Sequence, residues 1–451
     1  MTDINRDRLA ELLAAETRRF ADTHPRSREL AERARGVMLS GVPMPWMVKW
    51  AGGFPLFVES GAGAYFVDVD NHRYLDLCLG DTGAMSGHAP GGTVRAIERQ
   101  AVRGLTFMLP GADAIWVADE LRQRFGLAAW QFTLTATDAN RAVLRLARLL
   151  TGRPKVLVFN WCYHGTVDET LAVLQDGVVQ ARPGNLGPPV DPALTTRVVE
   201  WNDVAGLERE LAHGDVACVL AEPAMTNIGI IPAEDGFHAT LRQLTRRTGT
   251  LLVLDETHSI SAGPGGLTRA EGLEPDFLTI GKAIGGGVPA AAYGCTVEIA
   301  TRLATALPVA ESDTGGIGGT LAANALSLAA MRATLATELS AESFGETIPL
   351  AGRWTAGVRS VIAEFGLPWS VQRLGCRAEY CFRPHPPKNG AEAAAAADPE
   401  LERYLHLAAL NRGVLLTPFH NMALIAPGVT GNDIDRHTSV FRESVAALVR
   451  R

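Results

Sequence analysis

The sequence predicts an α/β protein: a large domain with a mostly parallel sheet flanked by helices, plus a smaller α+β domain built from the N- and C-terminal segments. Three observations predict it. From about residue 115 to 300, short all-apolar runs alternate with amphipathic helical stretches, the pattern of strands covered on both faces. The chain has 451 residues, more than one hydrophobic core usually serves. Its composition, 47% hydrophobic and 20% charged, is that of an ordinary globular protein and argues against disorder. The expected organisation is N-terminal helices and a β-attachment over 1–75, a large domain over 76–325 and a C-terminal part of the small domain over 326–451.

Along the chain, residues 5–39 carry helical periodicity, with Leu9, Leu12, Leu13 and Phe20 on one side and a break at His24-Pro25. A proline-punctuated loop follows, with Trp46 and Met47 in it, and then a hairpin from Leu56–Ser60 and Ala64–Val69 around a glycine turn. The strands of the large domain are expected at Trp130–Leu134, Val156–Phe159, Val216–Leu220, Leu251–Leu254 and Phe277–Ile280. From about 326 a long helix leads into a strand-rich tail around Arg373–Phe382, a flexible Ala394–Ala397 stretch and a closing helix near 431–450.

The formal net charge is -7 and the arginines form no dense stripe, so nucleic acid is not an expected partner and a small molecule is. The six cysteines form no C-x-x-C pair and lie near no histidine cluster at metal-ligand spacing. Neither a zinc site, nor any other metal, nor a disulfide framework is expected, and reduced thiols fit a cytoplasmic protein. Asp3, Arg6, Asp7, Arg8 and Glu11 precede any apolar run, so neither a signal peptide nor a membrane-spanning segment is expected.

In such sheets ligands bind at the carboxyl ends of the strands, so the residues just past each apolar run are the candidates. Past Phe277–Ile280 stands Lys282, one of only four lysines in the chain, set between glycines in Gly281–Gly287. Arginine stays protonated and cannot form an imine, so a lone lysine here points to a Schiff base with an aldehyde; a surface lysine in a turn is the alternative. Past Leu251–Leu254 stands Asp255, which would be buried and need a cationic partner such as a protonated pyridine nitrogen, unless it caps the next helix. Thr135, Ala136 and Thr137, ahead of a strongly helical stretch, suit a phosphate or a simple cap. Tyr163 could stack on a flat heterocycle or pack in the core. Phosphate, ring face, ring nitrogen and aldehyde are the four handles of pyridoxal phosphate, and all four types of residue fall at one sheet edge.

With these residues in place the chain resembles the class III aminotransferases, a group within the fold-type I pyridoxal-phosphate (PLP) transferases that also holds glutamate-1-semialdehyde 2,1-aminomutase. The resemblance runs from about residue 37 to the C-terminus. Thr135–Ala139 is similar to the family's phosphate loop, Cys162–Gly165 to its Tyr-His-Gly segment, and Glu222-Pro223 with Asn227 to its Glu-Pro and Asn-x-Gly segments. Asp255–Thr257 stands where the family has Asp-Glu-Val, Gly281–Gly287 resembles the cofactor-lysine loop, and Gly319-Thr320 resembles the Gly-Thr that reaches the neighbouring subunit's phosphate. The resemblance implies a cofactor site of Thr135, Ala136, Thr137, Tyr163, His164, Glu222, Asn227, Asp255, Thr257, His258, Lys282, Gly319 and Thr320, with Lys282, Asp255 and Tyr163 catalytic, in a homodimer.

Two departures bear on the cofactor site: Ala136 stands for the usual glycine and Thr257 for a valine. A third bears on substrate, because Trp46-Met47 occupies the loop where several members carry a carboxylate-binding arginine, with Lys49 the nearest cation. Trp46, Met47 and Met85 suggest apolar pocket walls, or packing against a partner subunit. Arg377 could bind a carboxylate bidentately, with a structural ion pair as the alternative. The implied activity is a ping-pong transaminase moving an amino group from an amino acid or related amine to a keto acid. The alternatives are an aminomutase of the glutamate-1-semialdehyde type and a racemase or epimerase, which would use the same lysine.

Overall fold

The computed structural model describes residues 4–308 and 312–449 and divides into two compact units. The larger comprises Gly91–Ala341 and Pro387–Ala395. At its centre is a seven-stranded sheet in the order Ala129–Thr133, Ala291–Cys295, Phe277–Ile280, Leu251–Asp255, Val216–Ala221, Lys155–Phe159, Thr196–Val199. Neighbouring strands pair in parallel except Ala291–Cys295, which runs antiparallel to both its neighbours. Fold-type I PLP transferases share this architecture, and each of the five expected strands is present to within one or two residues.

The apolar runs follow from burial on both faces. Leu251 and Val253 pack on one side with Ala139, Val143 and Ala147 of the helix Ala136–Thr151. Leu252 and Leu254 pack on the other with Phe237, Leu241 and Leu244 of the helix Phe237–Thr248. Alternate residues serve opposite cores, and each buried Leu or Val contributes about 1.5–3 kcal/mol, which keeps Leu251–Leu254 apolar up to the strand end at Asp255.

The smaller unit comprises Met1–Pro90, Glu342–Pro386 and Ala396–Arg451. The helices Arg6–Thr23 and Pro25–Arg35 meet at the predicted break. The strands Val58–Ala62, Tyr65–Asp68 and Arg73–Asp76 form an antiparallel meander to which Val414–Leu415 adds in parallel. The first turn of the meander uses Gly63 at φ 56, a conformation glycine takes at little cost. A second, antiparallel sheet joins Ser370–Leu374, Arg377–Cys381 and Met422–Leu424. The helix Gly431–Val449 closes the described chain; residue 450, within the predicted closing helix, lies outside the described residues.

The unit boundaries fall at 90/91 and 341/342, where the sequence places them at 75/76 and 325/326. The amide of Leu77 donates to Leu415 O, which ties the stretch after Asp76 to the smaller unit, and the helix Ala325–Ala333 belongs to the larger one. Ala394–Ala397 is expected to be flexible, but Gly390–Ala395 is helical and Ala393 is buried in the larger unit's core. A run of alanines reads as a linker by composition, yet alanine is the strongest helix former. Among the described residues, no helix is long and apolar enough to cross a membrane.

Candidate active site

The carboxyl ends of the larger unit's parallel strands converge on one edge. Asp255 is the last residue of its strand and is 3% exposed. Its Oδ2 accepts hydrogen bonds from His164 Nδ1 at 2.9 Å and from Asn140 Nδ2 at 2.9 Å, and its Oδ1 accepts from the Thr257 amide at 3.1 Å. Burial opposes the charged carboxylate, but the His164 bond and charge, Thr257 and Asn140 outweigh it and hold Asp255 down at about 2. Burial likewise opposes a charged His164, yet neighbouring Cys162 and Asp255 lift it to about 10. The strand end thus presents an ionised carboxylate, oriented from behind by imidazolium and amide.

Lys282 follows the next strand and takes φ 47, in the left-handed region. A non-glycine residue there costs on the order of 1–3 kcal/mol, a strain that concentrates at functional sites. Its Nζ lies 2.9 Å from His258 Nε2. The preceding glycine has a steric reason: a Cβ at Gly281 would lie 3.0 Å from the Ala136 Cβ and 3.1 Å from the Ala136 amide nitrogen. The lysine loop therefore rests against the first turn of the helix Ala136–Thr151.

That helix is capped by Thr135, whose hydroxyl accepts from the Asp138 amide at 3.2 Å. The amides of Ala136 and Thr137 have no acceptor within the helix, as in any first turn, and together with the positive dipole end they suit a phosphate. Thr137 Oγ1 accepts from the Thr166 amide at 3.1 Å, and a Cβ at Gly165 would lie 2.1 Å from that hydroxyl, so glycine is required in the segment after Tyr163 and His164. Tyr163 is half-buried in the loop that follows Lys155–Phe159. Asn227 Nδ2 donates to Trp161 O at 2.9 Å and fixes the start of that loop. Glu222, just past Val216–Ala221, is buried; burial lifts its carboxyl to about 7 against the pull of His164 and of Thr226, which bonds it through amide and hydroxyl.

Thr135, Ala136, Thr137, Tyr163, His164, Glu222, Asn227, Asp255, Thr257, His258 and Lys282 all belong to the larger unit, on loops, strand ends or a helix start at this edge. The residues present fit an aldehyde cofactor with a pyridine ring and a phosphate: an amine, an ionised carboxylate, a helix start, and a buried Thr257 hydroxyl with no hydrogen-bond partner among the described residues. Gly319 and Thr320 are exposed on the same unit, with Gly318 at φ 96.

Trp46, Met47, Lys49, Met85 and Arg377 belong to the smaller unit. The Trp46 ring meets Phe419 edge-on at 5.8 Å, and Lys49 Nζ lies 5.1 Å from the same ring. Met47 lines an apolar cavity of about 480 Å³ with Trp50, Phe54 and Phe66, while Met85 is buried. The Arg377 guanidinium is buried and lies 3.7 Å from Asp81.

One site residue and one pairing escape the sequence. Asn140 donates to Asp255 and to His164 O while accepting from the Thr279 hydroxyl at 2.7 Å, which locks three elements together. The available signal was an asparagine on the apolar face of a helix, in line with Val143 and Ala147. The second is the direct pairing of His258 with Lys282, which spacing along the chain does not reveal.

The class III aminotransferase family model matches residues 47–353. Glutamate-1-semialdehyde 2,1-aminomutase of Sorangium cellulosum (strain So ce56) is 32% identical over 435 residues, covering 95% of this chain and 98% of that protein. The crystal structure of a glutamate-1-semialdehyde-aminomutase from Pseudomonas aeruginosa PAO1 superposes with a TM-score of 0.97 at 48% identity over 99% of both chains, and a variant of that protein is known in complex with PMP. An omega-transaminase from Sphaerobacter thermophilus superposes with a TM-score of 0.85 at 27% identity, over 94% of this chain and 97% of that one.

Proposed function

We propose, for a chain that belongs to the class III aminotransferase family and whose cofactor is pyridoxal 5'-phosphate, that it moves an amino group between adjacent carbons of one substrate, as in glutamate-1-semialdehyde aminomutases. The observation that carries this reading is the 48% identity with the Pseudomonas protein over 99% of both chains. It reverses the order expected from the sequence, which put transamination between two molecules first; the two reactions use the same cofactor residues.

When bound, the cofactor supplies an aldehyde carbon and an electron-accepting ring. The first-turn amides at Ala136 and Thr137 would hold its phosphate, Tyr163 would cover a ring face, and Asp255 would pair with the ring nitrogen. Lys282 is the amine that would hold the aldehyde carbon until the substrate's amine displaces it. Its freed Nζ would then take a proton from the substrate carbon that gives up its nitrogen and deliver one to the carbon that gains a nitrogen, the cofactor, when bound, being the carrier of that nitrogen between them. His258, 2.9 Å away, positions that nitrogen. For 4-amino-5-oxopentanoate the product is 5-amino-4-oxopentanoate, an isomer, so no second substrate is consumed.

Transamination remains the second reading on a specific observation: the loop at Trp46-Met47 lacks the arginine with which several family members bind a carboxylate. A homodimer in which exposed Thr320 reaches the neighbouring chain's phosphate, in a reducing cytoplasm that suits six free thiols, completes the proposal. The test is holoenzyme supplied with 4-amino-5-oxopentanoate and no keto acid. Many turnovers to the isomer support the migration. Conversion that stops near one equivalent and resumes on adding a keto acid supports transamination, and Lys282→Ala abolishes either.

A further inference from the structure

In the smaller unit, His24, Asp68 and His72 bring three potential ligand atoms within 4.8 Å of one another. His24 sits at the break between the first two helices, Asp68 ends a strand of the meander, and His72 lies in the turn that follows. His24 Nε2 is 3.5 Å and His72 Nδ1 3.3 Å from Asp68 Oδ2. Ligand atoms at the corners of a tetrahedron with zinc bonds of about 2.0–2.1 Å stand about 3.3 Å apart, so two of the three edges are nearly at their liganded length.

Proton accounting shows that the cluster holds surplus lone pairs. His24 Nδ1 lies 2.7 Å from Phe20 O, which can only accept, so that nitrogen carries the ring proton and Nε2 is left with a lone pair. Asp68 Oδ1 is taken up by the amides of Asp70 at 2.9 Å and His72 at 2.8 Å, which aims Oδ2 at the histidines. The single phenol proton of buried Tyr74 faces both His24 Nε2 at 2.7 Å and Asp68 Oδ2 at 2.9 Å and can satisfy only one. An imidazole anchored to a carbonyl through its far nitrogen, beside a carboxylate anchored through its far oxygen, is the outer arrangement that metal ligands have.

We propose that His24 Nε2, Asp68 Oδ2 and His72 Nδ1 form a zinc site, closed by a water or by the Tyr74 oxygen, that ties the helix break to the meander. It lies within the smaller unit, whereas every residue assigned above to the cofactor lies in the larger one. The sequence gives no hint of it, since His24 is far from Asp68 along the chain and no cysteine takes part.

The test uses holoenzyme stripped with a chelator, gel-filtered and titrated with Zn²⁺ against a chromogenic chelator. The expected result is one zinc per chain, with affinity weakened more than about 100-fold in His72→Ala. His72 has its ring 41% exposed, so this variant should fold, and an unchanged cofactor absorbance verifies that it has. Zinc-edge absorption should show only nitrogen and oxygen neighbours. The proposal is overturned if the holoenzyme takes up no stoichiometric zinc, if His72→Ala binds as tightly as the parent, or if binding is lost instead in Cys381→Ser, which removes a half-buried thiol.

Discussion

Two carboxylates stand at the ends of neighbouring strands, one residue beyond the paired Leu254 and Ala221, and behave in opposite ways. Asp255 and Glu222 are 3% and 4% exposed, so burial presses on both alike. Asp255 is nevertheless held down at about 2 and Glu222 is lifted to about 7. The difference lies in the donors. Asp255 is bonded by a cationic imidazole, an amide side chain and a backbone amide; Glu222 feels that imidazole only as a charge and is bonded by the backbone and hydroxyl of Thr226. Ionisation at a buried strand end is set by what faces the carboxyl and not by its depth.

The largest expected effect comes from removing the charge that the donors protect. Asp255→Asn keeps size and some hydrogen bonds but cannot stabilise a protonated ring nitrogen, and turnover should fall by about 10³-fold while the cofactor still binds. Glu222→Gln at the adjacent strand end should cost less than about tenfold, since a group near pKa 7 is already largely protonated below neutrality. Steady-state kcat of the two variants on one substrate decides the matter. Equal losses would mean that the two carboxylates share one role and that the contrast in their surroundings has no catalytic consequence.

A smaller effect should follow from changing only the donor. His164→Asn can still donate a hydrogen bond toward Asp255 but carries no charge, so the Asp255 carboxyl should rise toward its ordinary value of 3.8. The acid limb of the kcat profile should then move up by about 1–2 units with kcat at neutral pH reduced by roughly tenfold. An acid limb that stays in place would show that Asn140 and Thr257 suffice to hold Asp255 ionised.

How much of this was legible in the sequence follows the same physics. The five expected strands stood out because burial on both faces favours an apolar run, and the candidate site residues stood out because they follow directly where those runs end. Ala291–Cys295 did not, since Ala-Ala-Tyr-Gly-Cys has weak strand propensity and is held as a strand by its neighbours. Thr196–Val199 is a short edge strand with an arginine in it. The lysine and the aspartate stand out one by one as candidates, but the contacts they make, His164 with Asp255 and His258 with Lys282, join distant loops and need the fold. Migration and transamination differ in how long an amine is retained and not in which residues hold the cofactor, so their order could be argued only from relatives.

The smallest effect is on stability, and its sign separates the two carboxylates once more. Asp255 has a depressed folded pKa, so its contribution is present above about 4 and is lost as pH falls toward about 2. Glu222 has a raised one: between 4.5 and about 7 the unfolded chain has released this proton while the folded chain keeps it, so stability declines as pH rises through that window. The decline integrates to at most roughly 3 kcal/mol for a fully buried group. Glu222→Gln removes the titrating proton, so holoenzyme melting temperatures measured from pH 5 to 7.5 should fall less steeply in the variant than in the parent. Parallel curves would mean that Glu222 ionises in the folded protein as it does in the unfolded chain, and that Thr226 together with the His164 charge offsets burial after all.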